Sequence, residues 1–239
     1  MLTIRQPLAK PERCVPAIKC LPLDAFEANS LKAVREVFRP MARHALGQAW
    51  LEREENDFAP AFVRFGWREN ALLLFAELID FDIFNAATVL NQRAWELGDT
   101  FEIFLQSINH PDYFEFQVTP NNQRVQLCFT DSSIEKSVGR TNLLPSVYMP
   151  GEVFHSRTWI QLNTRCWYVY AEICAKELFR HPGSLEGNRW LFSFSRYDYT
   201  CGRKLPVISS TSRHAEPDFH RRHEWQIMDF ESSAPYSNR

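Results

Sequence analysis

Several groups in this chain have the residue types and spacing for chemistry. Asp99 and Glu102 are two carboxylates close in sequence, with Trp95 just before them. Arg196 and Asp198 form a second charged pair. Arg213, His214, His220, Arg221, Arg222 and His223 crowd the last part of the chain. A glycosidase needs two carboxyl groups flanking one bond. Asp99 and Glu102 are three apart on a predicted strand, so they point to opposite faces and cannot flank anything. The histidines offer zinc no third or fourth ligand at suitable spacing. An anionic or phosphorylated ligand suits an Arg/His-rich loop of this kind better than zinc does, and a plain solvated loop fits it best. Asp80 and Asp82 are the acidic pair best suited to calcium, although no EF-hand-like loop surrounds them, and turn or capping roles fit them better. No G-x-S-x-G elbow and no glycine-rich phosphate loop occurs.

The elements that must position these groups read as strands. Ala61–Trp67 and Ala71–Ile79 flank the polar turn Arg68-Glu69-Asn70 and predict a hairpin. Asp99–Leu105, Tyr113–Thr119 and Arg124–Phe129 follow, the last two joined by the turn Pro120-Asn121-Asn122-Gln123. Val153–Leu162, Trp167–Cys174, Trp190–Tyr199, Leu205–Ser209 and Trp225–Phe230 complete the set. The best helix candidate runs from Ser30 to Gln48, with Ser30 as N-cap and Pro40 as a stop or kink. The proline-rich first 20 residues read as an extended, edge-like segment. No βαβ alternation is present. The expectation is an all-β, antiparallel β-sandwich, jelly-roll-like with two sheets and short helical insertions. Residues 1–55 are expected to be an N-terminal extension packed on a sandwich of residues 56–231, with a flexible tail at 232–239.

Period-two alternation gives the faces. Phe101, Ile103 and Leu105 oppose Thr100, Glu102, Phe104 and Gln106. Phe114, Phe116 and Val118 oppose Tyr113, Glu115 and Gln117. Val125, Leu127 and Phe129 oppose Arg124, Gln126 and Cys128. Three strands thus pair an apolar face with one mixing carboxylate, amide, guanidinium and aromatic groups. Such a mixture suits a sugar, whose edge wants hydrogen bonds and whose C–H face wants a ring; an ordinary solvated sheet face has the same pattern. Trp67, Trp159, Trp167, Trp190 and Trp225 lie inside strand-like runs and read as core.

Over 239 residues the formal charge is −2, which argues against a nucleic-acid binder. The longest apolar run, Ala71–Ala76, is far short of a membrane span. The six cysteines are scattered, without a C-x-x-C pair, and read as buried thiols of a reducing compartment. The first residues lack a secretory pattern, so the expected location is cytoplasmic, or exported if a signal has been removed.

Six segments resemble family 9 carbohydrate-binding modules and their DOMON-like relatives. Asn91–Phe104 is similar to the family's W…D-S-V-E-I-F signature. Gly66–Asp80 resembles its first hairpin, Tyr113–Asn121 its Y-x-F-x-V-x-P strand, and Trp167–Ile173 a W-x-V-E-A-x-I-like strand. Trp190–Asp198 resembles the W-x-F-N-F-x-R-Y-D segment of DOMON-like homologues, and Phe219–Phe230 the closing strand with its loop. The resemblance covers about residues 55 to 231 and implies non-catalytic binding of a mono- or oligosaccharide between two rings. It puts one ring on Trp95 and the other on Phe219, where the family has Trp. It puts the binding carboxylate on Glu102. The family's arginine falls on Gln117 and its amide on Ser195, beside Arg196, which reaches the site only if a bulge shifts the register. No methionine (Met149 and Met228 included) matches the haem ligands of other DOMON branches. The competing expectations are an interaction domain that has lost the sugar site and, less favoured, an enzyme using Arg196, Asp198, His220 and His223.

Overall fold

A computed structural model describes residues 16–130, 143, 145–178 and 185–232. Twelve strands lie in two sheets: β1 (Ile18–Cys20), β2 (His44–Ala45), β3 (Ala61–Arg68), β4 (Ala71–Ile79), β5 (Thr100–Ser107), β6 (Tyr113–Val118), β7 (Arg124–Phe129), β8 (Phe154–Gln161), β9 (Cys166–Cys174), β10 (Arg189–Asp198), β11 (Val207–Ser210) and β12 (Gln226–Phe230). The first sheet runs β1-β12-β10-β5-β6-β7, with β11 also paired to β10. The second runs β2-β3-β4-β9-β8. All pairings are antiparallel except β1 with β12. This is the all-β sandwich that alternation predicts.

The main core lies between the sheets. Phe101, Ile103, Phe116, Phe192 and Phe194 of the first sheet meet Val63, Leu72, Leu74 and Val169 of the second. Nineteen phenylalanines supply much of its volume, and edge-to-face pairs such as Phe65 with Phe192 fix how rings from the two sheets interlock. Trp67, Trp167, Trp190 and Trp225 are buried and Trp159 is half-buried. On one side, Thr158 Oγ1 donates to Pro120 O at 2.9 Å and Arg124 Nη1 to Phe154 O at 2.9 Å, joining β8 to the β6–β7 turn.

The helix is shorter than predicted. Helix α1 (Leu31–Phe38) starts at Ser30, whose Oγ accepts from Ala33 N at 3.3 Å, and ends before Pro40. The remainder of the predicted window holds β2 instead. Leu31, Val34 and Phe38 seal the outer face of the second sheet against Leu73, Phe75 and Tyr168. A second short helix, α2, spans Ala175–Leu178, and no described helix is long and apolar enough to cross a membrane. Residues 18–45 thus contribute strands to both sheets as well as a cover. The rest of the proline-rich start (1–15) and nearly all of the predicted tail (233–239) lie outside the described residues.

The segment before α1 lies tightly along β3: Trp67 N donates to Leu21 O at 3.0 Å and Leu23 N to Trp67 O at 2.8 Å. Gly66 makes the approach possible, since a Cβ there would sit 2.9 Å from Leu21 O and 2.6 Å from Leu23 Cγ. Gly66→Ala is therefore expected to cost about 1–3 kcal/mol, read as a lowered urea midpoint with unchanged slope. An unaltered midpoint would show that the segment yields without loss.

A candidate binding cleft on the outer face of the first sheet

Register builds the candidate site. On the face turned away from the core, one row crosses the sheet as Val125, Gln117, Glu102, Ser195 and Ser210. The next row is Leu127, Glu115, Phe104 and Ser193. Strand β7 is therefore turned opposite to expectation. Val125, Leu127 and Phe129 share the face of Glu115 and Gln117, while Arg124, Gln126 and Cys128 point inward with Phe116 and Phe114. The apolar side chains of β7 are buried nonetheless, because other segments cover this face. Ala87 and Ala94 come from the β4–β5 connection, and Phe219 and Trp225 from the β11–β12 connection.

Between these covers lies a small cleft bordered by Trp95, Tyr197, Phe129 and His220 around Glu102 and Glu115. Its free volume is about 40 Å³, room for about three waters. Gln117 ties the two carboxylates together, with Nε2 donating to Glu102 Oε1 at 2.9 Å and to Glu115 Oε1 at 2.5 Å. Its own Oε1 is buried with no hydrogen-bond partner among the described residues. His220 lies 2.8 Å through Nδ1 from the Tyr113 hydroxyl and 3.5 Å through Nε2 from Glu115 Oε2. Its ring packs edge-on against Phe104 and Phe129.

The residues singled out from sequence fall into three groups. Trp95, Glu102 and Gln117 come together. Trp95 sits half-buried in a 3₁₀ turn (Ala94–Glu96), with the Arg93 guanidinium 5.2 Å from its ring centre. Ser195 adjoins Glu102 in register but is fully buried, its Oγ donating to Ser210 Oγ at 3.1 Å. Phe219 and Arg196 are not brought into the cleft. Phe219 is buried among Trp50, Phe104 and Tyr197, a packing ring instead of an open platform. Arg196 faces inward because β10 pairs with β5 without a bulge, opposite Phe101.

Among the polar and aromatic residues of the cleft, Glu115, Phe129 and Tyr197 were foreseen in no site, and His220 only in the enzyme reading. Alternation signalled Glu115, which shares a face with Gln117. The Arg/His-rich cluster drew attention to His220, but nothing local placed it on this face, which it reaches on a loop from the far end of the chain.

Arg196 serves a different cluster. Its Nη2 lies 2.8 Å from Asp80 Oδ2 and 3.1 Å from Asp198 Oδ1, and its Nη1 donates to Ile79 O at 2.6 Å. Asp99 stands beside them and accepts from Phe84 N at 2.7 Å and Tyr199 N at 2.8 Å. Asp80, Asp99 and Asp198 present oxygens within 4.8 Å of one another, a donor set of the kind calcium favours. The residues do not fit the ion, because a guanidinium already binds two of the carboxylates and backbone N–H groups take both oxygens of the third. Asp82 is likewise committed, its Oδ2 accepting from Cys201 N at 2.7 Å. Asp80 and Asp82 thus make structural contacts of the kind favoured over calcium from the sequence, Asp80 Oδ1 accepting from Asp82 N at 2.8 Å.

Glu102 and Glu115 bond one amide nitrogen between them, at 2.9 and 2.5 Å, where a glycosidase pair must instead flank its substrate's bond. The Gln117 amide fills the gap, leaving no place for a scissile bond. His223 is exposed beside Glu224, whereas His220 borders the cleft and Arg196 and Asp198 lie in the buried cluster, so the proposed catalytic group is dispersed.

No protein-family model matches the chain, and no curated protein matches it. Solved structures do. A candidate carbohydrate-binding protein from Bacteroides uniformis ATCC 8492 superposes with a TM-score of 0.67 at 15% identity, over 90% of this chain and 99% of that one. A family 9 carbohydrate-binding module from Caldicellulosiruptor kristjanssonii in complex with glucose gives 0.60 at 14% identity, over 93% and 100%. The same organism's family 9 module in complex with cellotriose gives 0.61 at 14% identity, over 93% and 97%. The chain thus has the fold of a carbohydrate-binding-module β-sandwich, and the family 9 modules are among its structural neighbours.

Two predictions concern the buried cluster. Arg196→Ala leaves Asp80 and Asp198 without their cation and should cost about 3–5 kcal/mol in chemical denaturation. A loss below about 1 kcal/mol would overturn the assignment. The second concerns pH. Burial raises Asp99 from 3.8 to about 8, helped by Asp80 and opposed by its backbone donors. Burial likewise raises Asp198 to about 7, against the pull of Arg196. Between pH 4 and 8 the folded state therefore holds protons that the unfolded chain has released. Stability from these groups is full below about pH 4 and falls as pH rises through 7 and 8. Asp198→Asn should flatten the decline up to about pH 7, measured by urea midpoints from pH 5 to 8.

Proposed function

We propose that this chain is a non-catalytic carbohydrate-binding domain that takes a mono- or oligosaccharide at the cleft between Trp95 and Glu102. The observation carrying this reading is the convergence of an aromatic border with two hydrogen-bonding carboxylates on the same sheet face. The complexes of the neighbouring modules with glucose and cellotriose support it. A ring stacked on a sugar face contributes about 1–2 kcal/mol, and a charged hydrogen bond about 1.5–3 kcal/mol before ordering costs. The expected affinity is roughly micromolar to millimolar. A whole hexose exceeds the free volume, so it would enter edge-first, with rim side chains swinging aside.

The test is a glycan array followed by calorimetry, with glucose and cellotriose as the first probes. Trp95→Ala should lower affinity for any hit by at least about tenfold, with the β-sheet circular dichroism retained. Undiminished affinity in that variant would remove the site from Trp95. A second reading, an interaction domain without sugar binding, is favoured by the narrowness of the cleft and the burial of Phe219. It would be supported by an array without hits together with a partner that copurifies in fixed stoichiometry.

A further inference from the structure

The geometry points to Tyr199 as a positioning residue for Trp95, fixing the ring's backbone in place beside the cleft. This inference deepens the sugar-binding reading and rests on it for its effect on affinity. Trp95 stands in the long β4–β5 connection (residues 80–99), whose only described helical turn is the 3₁₀ turn Ala94–Glu96. A ring on such a connection is only as well placed as the backbone beneath it. The base of the connection is closed by Asp99 and Gly98. Asp99 Oδ2 accepts from Phe84 N at 2.7 Å, and Gly98, at φ +140°, lets Phe84 O come where a Cβ would be 2.5 Å away. Asn85 Nδ2 then bridges the loop's two arms, donating to Ala94 O at 3.0 Å and Asp99 O at 3.1 Å.

Those contacts hold the base. One side-chain contact reaches the backbone of Trp95 itself: the Tyr199 hydroxyl donates to Trp95 O at 2.7 Å. Tyr199 is held at its other end as well, since its backbone N–H donates to Asp99 Oδ1 at 2.8 Å. Asp99 therefore ties the start of the connection and Tyr199 to one carboxylate, and Tyr199 carries that anchorage about a ring's length to Trp95. Burial pushes the Tyr199 phenol above its usual range, so it remains a proton donor across the working pH. Neither Tyr199 nor Asp99 borders the cleft. Their part is to set Trp95, not to touch a ligand.

Tyr199→Phe removes only the hydroxyl. Trp95 is one of seven tryptophans, so its acrylamide quenching is read as the difference between each protein and its Trp95→Phe counterpart. The Trp95 contribution should become more quenchable in Tyr199→Phe, and amide exchange across residues 94–97 should speed up. Affinity for cellotriose or glucose should fall about 3- to 10-fold, the worth of one lost hydrogen bond. In the Trp95→Ala background the same change should have no further effect on affinity, a coupling that general destabilisation would not produce. Unchanged quenching and exchange would overturn the positioning role, even if the urea midpoint falls. If the wild-type protein binds neither sugar nor any array glycan, the sugar-binding reading fails. Quenching and exchange then decide the positioning role alone.

Discussion

The unbroken antiparallel register of β10 against β5 is the constraint on which the rest depends. Eight consecutive residues of β10, Trp190 to Tyr197, pair with Ser107 to Thr100 without a bulge. Because side chains alternate with a period of two, this pairing settles two fates at once. Ser195 falls beside Glu102 on the outer face, and Arg196 falls beside Phe101 on the inner one. A slip of one residue would place a guanidinium in the cleft and a serine among phenylalanines. It would also leave Asp80 and Asp198 without their cation in a region that excludes water. The electrostatic cost of that arrangement defends the register from inside, while the apolar rows of both sheets defend it along their length.

Much of the sandwich was legible in the sequence because its strands obey the simplest rule. An apolar face against a mixed one, bounded by Asn, Pro and Gly turns, marks β3 to β7 nearly to the residue. Strand β7 shows where that rule stops. Alternation identifies its two faces without saying which one turns inward. Val125, Leu127 and Phe129 look like core residues, and they are buried, but beneath loops on the outer face. Gln126 can point inward because its amide reaches Gly151 O at 2.7 Å and accepts from Val153 N at 2.8 Å. Partners so far along the chain leave no trace in local pattern.

The cleft was legible in part for the same reason. Strand alternation gives the shared face of Glu102 and Gln117, while their assignment to a site, and that of Trp95, comes from the resemblance to the family 9 modules. Phe219 and His220 are neighbours in sequence with opposite fates. Phe219 lies under the covering loop and His220 turns to Tyr113 and Glu115. What separates them is how that loop is pinned. Glu224 accepts from Ala215 N and from Arg221, the latter through Nε and Nη2 at 2.8 Å each, while Trp225 Nε1 donates to Phe219 O at 2.7 Å. These contacts within the loop curl it back on itself. They present one residue of the pair to the cleft and the other to the core.

The two borders of the cleft are therefore held by different physics. On one side, Arg221 holds Glu224 down to about 2, so the pinning carboxylate stays charged at any ordinary pH. On the other, Trp95 hangs from a base whose carboxylates are raised toward neutrality by burial. The base beneath the Trp95 border should loosen as pH climbs through 7 and 8, when Asp198 and then Asp99 must carry charge beside Asp80. The pin beneath one border thus keeps its charge, while the base beneath the other gains charge as pH climbs.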